Sequence, residues 1–201
     1  MSVIVVGIAD CRIATEPGDV LVTYGLGSCI GLAAYDPGAT VGGLLHFMLP
    51  DSALLEAEHR TGTPFKFADT GIPLLLERMS RAGAQKRRLL VRIAGAAQMM
   101  DPGGVFDIGR RNHQALRRVL WKAGVLVHGE AVGGAISRSV RLEIGTGRMW
   151  LREAAGPELE MPLVGVARRG EERTNGLSRP DRGRLAGDAG LRAACDRGLR
   201  V

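Results

Sequence analysis

The chain has 201 residues, 45% apolar and 24% charged, with a formal net charge of +6. That length supports one substantial hydrophobic core rather than two, and the longest apolar runs, at residues 3–9 and 25–35, fall short of the ~20 residues that a membrane-spanning helix needs. Beyond residue 167, nine Arg against five acidic residues supply +4 of the +6, so the remainder is nearly balanced; with 4% aromatic residues it offers no basic, stacking face, and nucleic acid is not an expected partner.

In chain order, residues 3–8 and 20–24 are rich in Val and Ile, bounded by Gly, Pro and Asp, and predict strands. Residues 29–36 and 41–49, separated by an Asp-Pro-Gly-Ala turn, predict a hairpin. Ile72, Leu75, Leu76 and Met79 recur at helical spacing, with Asp69 as expected N-cap and Gly83 as stop, and the stripe they form is expected to pack into the core. Residues 89–93 predict a short buried strand. A second helix runs through Ala115, Leu116, Val119, Leu120 and Ala123 and closes at Gly124. Residues 125–132 open a further set of strands, and residues 140–144 and 148–152 flank Gly145-Thr146-Gly147 as a second hairpin. Single helices inserted among many strands imply an α/β layered sandwich with a mixed, strand-rich sheet rather than a doubly wound fold. Residues 1–167 are read as the folded domain. Residues 168–201, rich in Arg and Gly without periodicity, cannot bury enough apolar area to offset their ordering entropy and are expected to be disordered.

Cys11, Cys29 and Cys195 are an odd number at spacings that suit neither a disulfide framework nor a CxxC knuckle, which predicts free thiols in a reducing compartment. With no basic-then-apolar leader at the N-terminus, a cytoplasmic location is expected. His59, His113 and His128 lack HxxH or HExxH spacing, Gly25-Leu26-Gly27 lacks the third glycine of a dinucleotide fingerprint, and the three lysines lie outside any P-loop frame; no metal or cofactor is expected.

One segment carries chemistry. Thr23-Tyr24-Gly25-Leu26-Gly27-Ser28-Cys29 sets a thiol directly after two glycines and a serine, where the backbone bends tightly and exposes its N–H groups. A thiol reacts as thiolate, so its pKa must be lowered or a base supplied. A hairpin centred between Pro37 and Gly38 pairs residues whose numbers add to 75, which sets Cys29 opposite His46, with Cβ atoms about 4.5–5.5 Å apart and within reach of an ion pair. A bulge at Gly42-Gly43 would instead send His46 to the other face. Taken singly, Cys29 reads as a small buried hydrophobe, His46 between Leu45 and Phe47 as a core residue, Thr23 as a strand former and Asn112 as a helix cap.

Together these residues resemble the CheD family of chemoreceptor glutamine deamidases. The likeness rests on T-x-G-L-G-S-C at residues 23–29, on Tyr35-Asp36-Pro37, and on Gly42-Gly43-Leu44-Leu45-His46-Phe47-Met48-Leu49-Pro50. It continues through Ala68-Asp69-Thr70-Gly71-Ile72-Pro73, Ile108-Gly109-x-x-Asn112, Gly133-Gly134, Arg138 and Thr146-Gly147. It departs at Ala94-Gly95-Ala96-Ala97, where a glycine pair would be expected before an alanine, and it does not reach the tail. The resemblance implies a CheD-like fold and a triad of Cys29 as nucleophile, His46 as base and acid, and Thr23 as the residue that orients the imidazole. Backbone N–H groups of Cys29 and of the Gly27-Ser28 turn would stabilise the oxyanion. The implied substrates are glutamine side chains of methyl-accepting chemotaxis receptors, with glutamyl methyl esters as a secondary class. Two alternatives stay open: an adaptor for a CheC-type chemotaxis phosphatase, and an unrelated Cys-His hydrolase or acyltransferase on a similar fold.

Overall fold

A computed structural model describes residues 1–54, 62–98 and 107–164. The chain divides into two compact units, Met1–Val166 and Ala167–Val201. His59, Cys195 and the tail expected to be disordered lie outside the described residues.

The elements, all in the first unit, are β1 (Val3–Val5), β2 (Asp10–Ala14), β3 (Val20–Leu26), β4 (Ile30–Asp36), β5 (Val41–Phe47), helix α1 (Ala68–Arg81), β6 (Leu90–Gly95), helix α2 (Ile108–Ala123), β7 (Val127–Val132), β8 (Arg138–Glu143), β9 (Met149–Glu153) and β10 (Glu158–Glu160). The strands form two five-stranded sheets, ordered β1-β3-β8-β9-β10 and β2-β5-β4-β6-β7. Both are mixed: β1 runs parallel to β3 and β6 parallel to β7, while the other pairs are antiparallel. The α/β layered sandwich read from the sequence is therefore present, with its strands shared between two sheets.

The second sheet is the middle layer. One face carries Ile30, Leu32, Leu45 and Phe47 against Ile72, Leu75 and Met79 of α1 and Leu116 and Leu120 of α2. The other carries Ala33, Tyr35 and Leu44 against Leu21, Leu26, Val140, Leu142 and Met149 of the first sheet. Every residue of β4 and β5 is buried, which is why both segments read as unbroken apolar runs instead of alternating ones. Each fully buried Leu, Ile or Met contributes about 1.5–3 kcal/mol relative to exposure, so the α1 stripe alone anchors that helix.

The hairpin β4–β5 is present, but its register differs from the expected one. Ile30 pairs with Phe47, Gly31 with His46 and Asp36 with Val41, so paired numbers add to 77 and the loop spans residues 37–40. A buried carboxylate fixes this loop. Asp36 accepts hydrogen bonds from the Arg88 side chain (2.7 Å twice), the Gln85 N–H (2.6 Å) and the Gly38 N–H (2.8 Å). Burial acts to raise its pKa, but the Arg88 guanidinium and the two backbone donors outweigh that and hold it at about 2.

Other details depart from the sequence reading. Residues 3–8 are not one strand: β1 ends at Val5, and Ala9, with φ 58°, turns the chain toward β2 in the other sheet. Asp69 is not the N-cap of α1, a place taken by Phe67; its carboxylate instead accepts from the Ser52 N–H (3.0 Å) and hydroxyl (2.7 Å). Gly83 and Gly124 end their helices at positive φ, as expected.

Candidate active site

Thr23 sits in β3, fully buried between the sheets. Its hydroxyl donates to the Val6 carbonyl at 2.7 Å and lies 2.8 Å from His46 Nδ1. A hydroxyl has one hydrogen, and a carbonyl can only accept, so the second contact runs the other way: Nδ1–H donates to Thr23 Oγ1. That fixes the tautomer. Nε2 carries the free lone pair, and it is buried without a hydrogen-bond partner among the described residues. Burial lowers the pKa of His46 from 6.5 to about 4, so at neutral pH the ring is an uncharged base.

His46 is held from both sides along β5. It pairs with Asp10 of β2 and Gly31 of β4, and its carbonyl accepts from the Ala9 N–H at 2.8 Å. Across from it, Gly31 leaves space: a Cβ there would come within 2.9 Å of Leu26 Cδ1 and 3.4 Å of Thr23 Cγ2.

Cys29 is partly exposed, in the bend between β3 and β4, and packs against the core between the sheets, the side to which His46 also points. The register shift from 75 to 77 is an even one, so it preserves the shared face while changing the pairing. His46 lies opposite Gly31, and Cys29, two residues earlier, is its diagonal neighbour, a relation of about 7–8 Å in a regular ladder. Gly42 and Gly43 pair with Tyr35 and Ala34 in unbroken register, so the bulge that would have separated the two faces is not formed.

No ion pair joins the two residues, because His46 Nε2 has no hydrogen-bond partner among the described residues. Burial raises the Cys29 pKa above its ordinary 9.0, with its own backbone N–H acting in the opposite direction, while the same burial disfavours the imidazolium. Thiol and imidazole are both uncharged at rest. The arrangement supports proton transfer during attack rather than a stored thiolate.

The bend itself is pinned by the segment that follows β6. Cys29 and Gly27 carbonyls accept from the N–H groups of Ala96 and Ala97, both at 2.8 Å. Gly95, at φ 114°, passes so close that any Cβ would collide with the Cys29 carbonyl. Ala96 holds φ 55°, a left-handed conformation that glycine would adopt without strain, at the position where the sequence departs from the expected glycine pair. Gly95 and Gly133 carbonyls in turn accept from Arg138 Nη1, at 3.4 and 2.7 Å. The N–H of Gly27 donates to the Gly25 carbonyl at 2.9 Å, which shapes the bend. The N–H groups of Ser28 and Cys29 have no backbone acceptor among the described residues.

Asn112, expected as a helix cap, does something else. It lies in α2, fully buried, and its Nδ2 donates to the carbonyls of Ser28 and Met48, each at 2.9 Å. Helix start signals gave no warning of this contact, since its partners lie 84 and 64 residues away. The other groups weighed in the sequence are structural: Cys11 is buried with its pKa raised to about 12, His128 accepts from the Val91 N–H at 3.1 Å, and His113 lies 3.3 Å from Glu130. Among the described residues, no three His, Cys, Asp or Glu side chains converge as metal ligands.

Comparison with known proteins bears on this site. The family described as CheD chemotactic sensory transduction matches residues 48–153. A protein of Solibacter usitatus named probable chemoreceptor glutamine deamidase CheD is 60% identical over 153 residues, covering 76% of this chain and 90% of its own length. The chain belongs to the CheD family. Similarly named relatives from Syntrophus aciditrophicus and Anaeromyxobacter dehalogenans are 47% and 52% identical, over 80% and 74% of this chain and 100% and 93% of their own. The matched family segment begins after Thr23, Cys29 and His46, so it does not bear on those three positions.

Proposed function

We propose that this protein hydrolyses the side-chain carboxamide of glutamine residues on chemoreceptors to glutamate, with Cys29 as nucleophile, His46 as base and acid, and Thr23 orienting the imidazole. The names of its CheD relatives supply the substrate class. The single observation that carries the chemistry is the Thr23–His46 hydrogen bond, which leaves an unprotonated Nε2 on the face shared with Cys29.

The steps balance as ordinary acyl transfer. As the Cys29 sulfur bonds to the carboxamide carbon, its proton passes to His46 Nε2, and the carbonyl oxygen becomes an oxyanion facing the Ser28 and Cys29 N–H groups. The C–N bond breaks, His46 returns the proton to nitrogen, and ammonia leaves a thioester. Water then attacks that carbon with His46 taking its proton. The C–S bond breaks, releasing glutamate and regenerating the thiol. A glutamyl methyl ester enters the same sequence with methanol as leaving group. A thiol nucleophile of this kind suits a reducing compartment, and we place the reaction in the cytoplasm. No helix among the described residues is long and apolar enough to cross a membrane.

Mass spectrometry of receptor cytoplasmic fragments incubated with the protein tests the reading. The expected result is conversion of particular glutamines to glutamate with release of ammonia, abolished by Cys29→Ala; full conversion by Cys29→Ala removes Cys29 from the mechanism. The second reading, an adaptor for a CheC-type phosphatase, is separated by the same variant, because an adaptor would keep its partner while having no ammonia release to lose.

A further inference from the structure

The environment of Asn112 carries an inference that rests on the proposed deamidation and deepens it. We infer that Asn112 is a positioning residue that aims the Cys29 N–H at the oxyanion.

Two carbonyl oxygens lie 2.9 Å from the same Asn112 atom, so that atom must be the amide nitrogen and both of its hydrogens are spent. One acceptor is the Ser28 carbonyl, which belongs to the same peptide unit as the Cys29 N–H. A peptide unit is planar and trans, so its C=O and N–H point in opposite directions. Pinning the oxygen toward the core therefore pins the hydrogen outward, away from α2. On that outward side the N–H lies against its own thiol, so donor and nucleophile face the same space. An oxyanion forming on a carbon bonded to that sulfur meets this N–H. Donation to the carbonyl also polarises the peptide and strengthens the N–H as a donor.

The second acceptor, Met48, lies two residues beyond His46, so one side chain ties the nucleophile's bend to the end of the base's strand. The helix is shaped to allow this. Gly109, one turn earlier on the same face, meets the segment that holds Cys29: a Cβ there would lie 2.5 Å from the Ala96 carbonyl oxygen and 2.9 Å from that of Ala97. The Gly-x-x-Asn spacing thus combines a close backbone approach with a double donor.

The test exploits the fact that alkylation by iodoacetamide displaces iodide and creates no oxyanion, whereas amide hydrolysis does. Removing an oxyanion donor outright lowers kcat about 10²–10³-fold; here the donor is misaimed, not deleted, and Asn112→Ala is expected to lower kcat about 10–100-fold. KM should stay close to wild type, and Cys29 alkylation should proceed near the wild-type rate. Should Asn112→Ala fail to fold, Asn112→Gln, which keeps the carboxamide but displaces it by a methylene, is expected to show the same split. Equal losses of turnover and alkylation, an unchanged kcat, or loss of the fold in both variants would each overturn the inference. Wild type and Cys29→Ala run in the same assay keep the two levels apart. Cys29-independent turnover sinks the proposed function and this inference with it, whereas Cys29-dependent turnover indifferent to Asn112 sinks the inference alone.

Discussion

Replacing Thr23 by valine keeps the volume and branching of a strand side chain while deleting the hydroxyl that links Val6 to His46. Two buried polar groups, the Val6 carbonyl and His46 Nδ1–H, then lose their partner, at a cost of about 1–3 kcal/mol for each one left unsatisfied. The imidazole has a way to relieve its share, by moving its proton to Nε2. A lost hydrogen bond of about 1–1.5 kcal/mol corresponds to a five- to tenfold change in the tautomer ratio, and release of the ring from its fixed orientation adds to it. Thr23→Val is therefore expected to lower kcat about 10–100-fold, since the protonated Nε2 cannot accept the thiol proton. KM should barely change, because Thr23 is buried and does not meet substrate. Thermal melting should fall by several degrees, at about 2–4 °C per kcal/mol for a domain of this size. Steady-state ammonia release measures the first effect, and Thr23→Ser, which restores the hydroxyl, should recover most of it. Wild-type turnover by Thr23→Val, or no recovery in Thr23→Ser, would refute the assignment of Thr23 as the group that sets the tautomer.

Because His46 titrates at about 4 instead of 6.5, kcat/KM should hold its value through pH 6 and fall only as pH drops through the region of 4. The same depression costs stability on acidification: the unfolded chain binds a proton below 6.5 that the folded one refuses until about 4, so roughly 3 kcal/mol is lost across that window, readable by denaturant titration at several pH values. Alkylation of Cys29 should rise with pH through and beyond 9.0, with no plateau near neutrality; a plateau there would show a stored thiolate. Ala96→Gly relieves a left-handed alanine but gives up a buried methyl and loosens the unfolded chain, so melting should change little with activity kept, whereas Gly95→Ala, whose Cβ would strike the Cys29 carbonyl, should lose both activity and stability in the same melting and ammonia assays.

Local features of the sequence sufficed wherever one side chain or one run of residues decided the outcome. The buried α1 stripe, the glycine stop at Gly124, and the unbroken apolar runs of β4 and β5 are of that kind. Where the deciding partner is remote, the local signal misled. Pro37-Gly38 suggested a turn centred between them, but the pairing of buried Asp36 with the partly exposed Arg88 and Thr40 at φ 53° set a longer loop, and the register moved by two. Asp69 has the chemistry of an N-cap, yet Ser52 claims its carboxylate. β2 alternates polar with apolar residues over only four positions, and β10 is three residues with two glutamates, so neither announces itself as a strand. Cys29 and His46 survived the register error because a two-residue slip cannot exchange faces. Asn112 did not come through as more than a cap, because what it binds is backbone, and backbone acceptors leave no mark in a sequence.

The site also shows why its partners are drawn from both sheets. Thr23 comes from the first sheet, His46 from the second and Cys29 from the bend that joins them, and the Thr23–His46 hydrogen bond crosses the core between the sheets. Setting a base in a dry interface gives it a fixed tautomer and a free lone pair, but the same dryness removes water from any charge that forms. With burial holding the imidazole near 4 and pushing the thiol up, transfer of a proton from sulfur to nitrogen at rest is opposed at both groups. A buried ion pair recovers such a cost only with further hydrogen bonds, and Nε2 has none among the described residues. In the proposed mechanism, charge separation therefore coincides with formation of the sulfur–carbon bond, when the negative charge passes from sulfur to the oxyanion and reaches the Cys29 N–H. On this account the packing that leaves the thiol quiet toward solvent is the same packing that readies it for a carboxamide delivered beside that donor.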